Sequence, residues 1–182
     1  MGILDNFFKK EPNTDELLKN HSAGSFMILG MLVSSSIIFN DEWKDYKKRK
    51  GETFELMILS TLQILRKFNE IKHSEYSSFE EDLFKQLFNF ARQELIIEKL
   101  PCDLDDFVNS RFVIYDSEFS LDYDEQVKLP VHTAYNLFVN PLEMNSSKCE
   151  DLFKVMELQI KLNAYYEALN INFNFMLSKK YS

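Results

Sequence analysis

The chain has 182 residues, 45% of them hydrophobic and 27% charged, so its length and composition are those of one globular domain. The formal net charge of −8 argues against nucleic acid as a partner, because phosphate binding requires clustered lysine and arginine. Cys102 and Cys149 form no CxxC pair, so we predict neither a disulfide framework nor a thiolate zinc site. We expect a single domain over residues 1–182 in a reducing cytoplasm, without a secretory signal.

Glycine and proline are scarce, with four of each, and long segments free of both favour helices over short strands. We therefore predict an all-α fold, a bundle of about five to six helices around an apolar central helix. Residues 1–12 are predicted to form a short amphipathic appendage, in which Ile3, Leu4, Phe7 and Phe8 share one helical face. This face either docks on the core, which we favour, or anchors the chain at a membrane surface.

The central helix is predicted over residues 23–39, seventeen residues without a charge. Asn13 and Glu16 have the spacing of a capping box that begins this helix. The segment is short for a membrane span, which needs ~20 mainly apolar residues. The basic run at 47–50 leaves a span open as an alternative, because it stands where a positive flank would stand. We favour a buried core helix.

Three segments with a helical spacing of apolar residues follow. The helix from Phe54 is apolar on more than one side and is expected to be well buried. Ser78 and Glu81 form a capping box at the start of the next helix. A third helix begins at Asp103, and Arg111 is the one non-apolar residue in its inward stripe. We expect Arg111 either to extend its guanidinium to the surface or to pair with a carboxylate.

In the last part of the chain, Pro130 and Pro141 bracket a short helix. Ser147 and Glu150 are predicted to cap a final helix. The residues predicted to face inward on this helix are Leu152, Phe153, Met156, Ile160 and either Tyr166 or Leu169. Residues 169–177 alternate apolar and asparagine residues with period two, which is typical of a strand. A lone strand would lack a hydrogen-bonding partner, so we favour helix or an irregular tail there.

The sequence contains no motif of a common enzyme class. Glycines are confined to positions 2, 24, 30 and 51, which leaves no P-loop, dinucleotide fingerprint or nucleophile elbow. Glu70 and His73 form one ExxH pair, whereas a di-iron bundle requires two such pairs and two further glutamates. His21 and His132 each stand apart in the sequence from a nucleophile or a second ligand. We predict no catalytic residue, no metal site and no cofactor.

Negative charge is concentrated in one segment. Residues 103–125 hold eight acidic side chains and one basic side chain, so they carry −7 of the net −8. These acids either solvate one helix and its following loop or form a docking surface for a basic protein, with tyrosines interleaved. The candidate partner-binding residues are Tyr115, Asp116, Glu118, Asp122, Tyr123, Asp124 and Glu125.

These features favour a non-enzymatic protein-binding module in the cytoplasm. Small acidic helical proteins of this kind include inhibitors, immunity proteins and adaptors, which cover a basic surface on another protein. A first alternative is a membrane-associated accessory protein anchored through residues 3–8 and 23–39. A second is a small helical-bundle enzyme whose pocket includes Glu70 and His73. The oligomeric state does not follow from the sequence.

Overall fold

The computed structural model describes residues 26, 27, 30, 33–39, 49–70, 76–119, 129–144 and 147–180. Every regular element in these ranges is helical, which confirms the all-α prediction. The α-helices are α1 (Lys50–Glu70), α2 (Tyr76–Gln93), α3 (Leu104–Glu118), α4 (Val131–Phe138) and α5 (Leu152–Lys180). A π-helix spans Ser35–Phe39, and a 3-10 helix spans Ile96–Lys99.

Helix α1 lies at the centre of the described bundle and packs against α2, α3 and α4. All side chains from residue 53 to residue 65 are buried, as expected for a helix that is apolar on more than one side. Its buried hydroxyls have partners. The Thr61 hydroxyl donates to the Met57 carbonyl at 2.7 Å, and Ser60 Oγ accepts from the Tyr165 hydroxyl of α5 at 3.2 Å. These bonds avoid the cost of burying an unpaired polar group.

The described part of segment 23–39 is helical and packs between α1 and α5. Phe26 is buried, and its ring centroid lies 4.9 Å from that of Phe173 in α5. At Gly30 an added Cβ would lie 3.0 Å from the Ser60 Cβ of α1. Glycine at this position therefore lets the two helices approach more closely than a larger residue would.

The structure bears on the membrane alternative in one respect. None of the helices formed by the described residues is long and apolar enough to cross a bilayer. The appendage predicted at residues 1–12, with its anchor at 3–8, lies outside the described residues, as does the capping box of Asn13 and Glu16.

Two helix starts differ from the predicted capping boxes. Helix α2 begins two residues before Ser78, which is therefore inside the helix and not at its N-cap. At α5 the N-cap is Asp151 and not Ser147, because Asp151 Oδ1 accepts the Lys154 N–H at 3.2 Å. Asp103 occupies the N-cap of α3 as predicted, although its side chain makes no capping hydrogen bond.

Aromatic rings join the first three helices. The Phe54 ring of α1 lies 6.5 Å from the Phe90 ring of α2 and 6.3 Å from the Phe107 ring of α3, centroid to centroid, in both cases stacked. Stacked aromatic pairs contribute roughly 0.5–1.5 kcal/mol beyond the burial of their area. Part of the large phenylalanine content of the chain is thus used to hold α2 and α3 on α1.

The two helices predicted for the last part of the chain are both present. Helix α4 lies between Pro130 and Pro141. Residues 169–177 belong to α5, so this segment is helical in spite of its period-two pattern. Leu169 and Phe173 are four residues apart and both buried, which places them on the same inner face of the helix.

Candidate functional site

The structure describes part of the acidic segment. Four of the seven candidate partner-binding residues lie outside the described residues, namely Asp122, Tyr123, Asp124 and Glu125. Asp116 lies on the surface, with 63% of its side chain exposed, and forms an ion pair with Arg66 of α1. Arg66 also donates to the Phe119 carbonyl at 2.9 Å. Asp116 therefore joins the C-terminal end of α3 to α1 and still presents its carboxylate to solvent.

Glu118 serves as the N-terminal cap of α4. Its carboxylate oxygens accept the backbone N–H groups of His132 at 2.8 Å and Thr133 at 2.9 Å, and the Thr133 hydroxyl at 2.7 Å. The first N–H groups of a helix have no intrahelical acceptor, and a carboxylate satisfies them while interacting favourably with the helix dipole. Glu118 thus fixes the start of α4 against the end of α3.

Tyr115 lies in the interior and not on the surface. It is completely buried, and its hydroxyl donates to Glu55 Oε2 of α1 at 2.5 Å. The predicted role of Tyr115 as an exposed contact is therefore not available to it in this structure. Among the three candidates that the structure describes, Asp116 alone presents an exposed carboxylate.

Arg111 is buried and paired with Glu55, so the second of its two predicted arrangements is the one observed. Arg111 Nε lies 3.0 Å from both carboxylate oxygens of Glu55. Its guanidinium carbon stands 4.5 Å above the Phe107 ring, and Nη2 donates to the Glu143 carbonyl at 2.5 Å. Both side chains are completely buried. This pair, with Tyr115, forms the buried ionic cluster of the fold.

The backbone after α4 completes this cluster. Leu142 has a φ of 69°, a left-handed conformation that is rare for a residue with a side chain. In that conformation its N–H donates to Glu55 Oε1 at 3.1 Å. Such a conformation persists only where its surroundings impose it, and here the carboxylate and the neighbouring carbonyl of Glu143, bound by Arg111, do so.

The electrostatics of the cluster suit an ionised glutamate. Burial raises the pKa of the Glu55 carboxyl above its ordinary value, while the Arg111 charge and the hydrogen bonds from Tyr115 and Leu142 act in the opposite direction. All of these neighbours are hydrogen-bond donors, and a carboxylate is an acceptor only. Burial, and then the negative charge of Glu55, raise the pKa of Tyr115 well above its ordinary value, so its hydroxyl stays protonated as a donor.

A structural role explains this cluster better than a catalytic one. Glu55, Arg111 and Tyr115 are all inaccessible to solvent, so a substrate would reach them only after the helices separate. Together they connect α1, α3 and the turn that follows α4. Removing one member of such a pair leaves an uncompensated buried charge, which is strongly destabilising.

The sequence-predicted ExxH pair stays untested, because His73 and the Glu70 side chain lie outside the described residues. His21 lies outside them too. His132 is half-buried in the first turn of α4. Across the part of the chain that the structure describes, no group of three or more histidine, cysteine or acidic side chains is close enough to hold a metal ion.

Helix α5 has two apolar faces on opposite sides. Its inner face consists of Val155, Leu158, Leu162, Tyr165, Leu169 and Phe173, all buried. Its outer face consists of Phe153 (87% exposed), Met156 (51%), Ile160 (71%), Ile171 (64%) and Phe175 (43%). The prediction that Leu152, Phe153, Met156 and Ile160 point inward is wrong, since all four are exposed. The residues of the inner face follow one another at intervals of three or four positions without interruption, and this face packs on the core.

Comparisons of the chain with known protein families, with curated proteins and with solved structures gave no match.

Proposed function

We propose that this chain is a cytoplasmic protein-binding module and that the outer face of α5 is its binding surface. The observation that carries the proposal is the exposure of five large apolar side chains along one side of a 29-residue helix. The cysteine spacing supports a reducing compartment. An inhibitor, an immunity protein or an adaptor would each act by such a contact, without a catalytic residue.

The size of the outer face supports binding. With roughly 150–250 Å² for a large side chain that is fully exposed, these five side chains present on the order of 600 Å² of apolar surface. The largest apolar patch of a typical monomer is about 300–600 Å² and often functional. Summed along the helix, with Glu167 between its two halves, the apolar area of the outer face thus reaches the upper end of this range.

The spacing of the outer face matches the surface of a helix that packs on another helix. Phe153, Ala164 and Phe175 recur every 11 residues, and Met156, Ile160 and Ile171 fill the intervening turns. An 11-residue repeat corresponds to 3.67 residues per turn, so the stripe stays on one side of a nearly straight helix. Amphipathic helices that bind grooves use anchors at this kind of spacing.

A crosslinking experiment in the native cell tests the proposal. A photoreactive amino acid replaces Phe153 or Ile171 on the outer face, and in the matched control it replaces Ile97, which is 42% exposed on the 3-10 helix. We expect protein crosslinks from both outer-face positions and fewer from Ile97. Folding of each variant is checked by circular dichroism. The absence of crosslinks from both outer-face positions in a folded protein would contradict the proposal.

A second candidate surface is the acidic outer side of α3. Val113 is exposed there, and Asp105, Asp106 and Asp116 are exposed along the same helix. An apolar side chain beside carboxylates suits a basic partner, because charge speeds the encounter and apolar contact slows dissociation.

The acidic surface is tested with a combined Val113→Ser and Asp116→Asn variant, measured against a partner captured by the wild type. We expect slower association and a flatter dependence on salt, because screening acts on the long-range attraction. The matched control removes one exposed acid of α2, Asp82→Asn, and so changes the net charge by the same amount. Association rates that change equally in both variants would exclude α3 as the docking side.

A further inference from the structure

We infer that the outer face of α5 packs against α5 of a second copy of this chain, antiparallel and related by a twofold axis beside Ala164. The inference rests on the proposed binding surface and names its occupant. A twofold interface uses the same patch on both protomers, so the patch must be complementary to itself. The outer face meets this requirement at its centre and at its two ends.

The two phenylalanines of the outer face are equidistant from Ala164. Phe153 lies 11 residues before it and Phe175 lies 11 residues after it. In an antiparallel pair that crosses at Ala164, each Phe153 therefore lies level with the partner's Phe175. Two helices approach most closely where they cross and diverge toward their ends. A small alanine at the crossing and large phenylalanines at the ends fill such a gap on both protomers.

The charges beside the outer face do not oppose a second copy. Lys154 pairs with Asp151 at 3.8 Å, and Lys161 pairs with Glu157 at 2.6 Å, so the rim over the first half of the helix is neutral. The net negative charge of the chain is concentrated instead in residues 103–125. Like charges therefore do not accumulate where the two helices would meet.

The area is sufficient for a dimer of modest stability. Two outer faces of on the order of 600 Å² each would bury about 1,200 Å² in total, which lies at the lower limit for specific protein interfaces. This size predicts an equilibrium between monomer and dimer that depends on protein concentration.

Glu167 interrupts the apolar stripe of the outer face, so its replacement is expected to change the affinity of the dimer. It is exposed and follows Ile160 by seven residues, which places both on the same side of α5. In the antiparallel pair its carboxylate therefore lies within one residue of the level of Ile160 of the partner subunit. Removing a carboxylate from water against an apolar side chain costs free energy. The Glu167→Leu variant should therefore bind its second copy more tightly than the wild type does.

Sedimentation equilibrium over a range of concentrations measures the dissociation constant. We expect the wild type to shift between 21.6 kDa and twice that mass. Glu167→Leu should lower the dissociation constant by about tenfold, and Ile160→Asp should raise it by about a hundredfold or more, because each change occurs twice in the dimer. The control Ile97→Ser, at an exposed residue of the 3-10 helix, should leave it unchanged. A wild type that stays at 21.6 kDa up to high concentration overturns the inference.

Disulfide trapping tests the antiparallel register. In a background with Cys102→Ser and Cys149→Ala, the Ala164→Cys variant should form a disulfide-linked dimer under oxidation, because the two Cα atoms face each other at the crossing. Phe153→Cys should form none, since the two copies of that position lie roughly 33 Å apart in the antiparallel pair. Self-crosslinking at position 153 with none at position 164 overturns the inference. Photocrosslinks from the outer face to a different protein, together with a purely monomeric chain, overturn it while leaving the proposed function intact.

Discussion

Replacing Arg111 by methionine removes the positive charge from the buried pair that ties α3 to α1. Glu55 would keep the hydrogen bonds from Tyr115 and Leu142, but its negative charge would lie in the core without a counterion. Loss of one partner of a fully buried ion pair costs about 3–5 kcal/mol of unfolding free energy. Glu55→Gln should cost a similar amount, because it leaves the Arg111 charge uncompensated.

The double variant should recover part of this loss. In Glu55→Gln combined with Arg111→Met, the glutamine Oε1 can still accept the Leu142 N–H, its amide nitrogen can donate to the Tyr115 hydroxyl oxygen, and both charges are gone. Replacement of a whole buried pair is often close to neutral, so the double variant should be more stable than the sum of the single effects by roughly 2 kcal/mol or more. The matched control is the pair of Arg66 and Asp116, whose carboxylate is 63% exposed.

Urea unfolding of the wild type, the single variants and the double variants measures both coupling energies. We expect the control cycle, Arg66→Met with Asp116→Asn, to give less than about 1 kcal/mol, because solvent screens that pair. If the effects of Glu55→Gln and Arg111→Met add within about 0.5 kcal/mol, the cluster does not couple α1 to α3 and the reasoning is refuted.

Three further predictions concern the same fold. Burial raises the pKa of Glu55, and loss of the Arg111 charge removes an effect that opposes this increase. Arg111→Met should therefore lower the free energy of unfolding more at about pH 8 than at about pH 5. Equal decreases at the two pH values, measured by urea unfolding, would contradict this. Glu118→Ala should cost about 1–2 kcal/mol and speed amide hydrogen exchange in Val131–Phe138, and unchanged exchange there would exclude the capping role. Gly30→Val should lower the free energy of unfolding by about 1–3 kcal/mol, because its Cβ begins 3.0 Å from α1; a thermal midpoint equal to that of the wild type would refute the close approach.

Several features of this fold were predictable from local pattern. Scarce glycine and proline, together with helical spacing, predicted an all-α chain, and the many-sided apolar helix from Phe54 is the buried α1. The sequence also contained a signal for the ionic cluster. Arg111 is the one non-apolar residue in its stripe, and Glu55 is the one charged residue between positions 54 and 65. A charge within an apolar pattern requires a partner when it is buried.

Tertiary structure alone decided how these residues combine. Glu55 and Arg111 are 56 positions apart, and only the packing of α3 on α1 brings them together. The same packing turned Tyr115 inward and gave Glu118 the N-terminus of α4 to cap, although both belong to a segment whose composition predicted an exposed acidic surface.

The last helix shows the limit of sequence pattern most clearly. Both faces of α5 have apolar residues at helical spacing, and periodicity predicts that a face is apolar without specifying what covers it. Which of the two faces packs inward depends on the total area that each can bury against segment 23–39, α1 and α4. That area is a property of the assembled bundle. The sequence by itself therefore determined that α5 is a helix, and the tertiary structure decided that Phe153 and Ile160 face outward, because the inner face offers six side chains to the core.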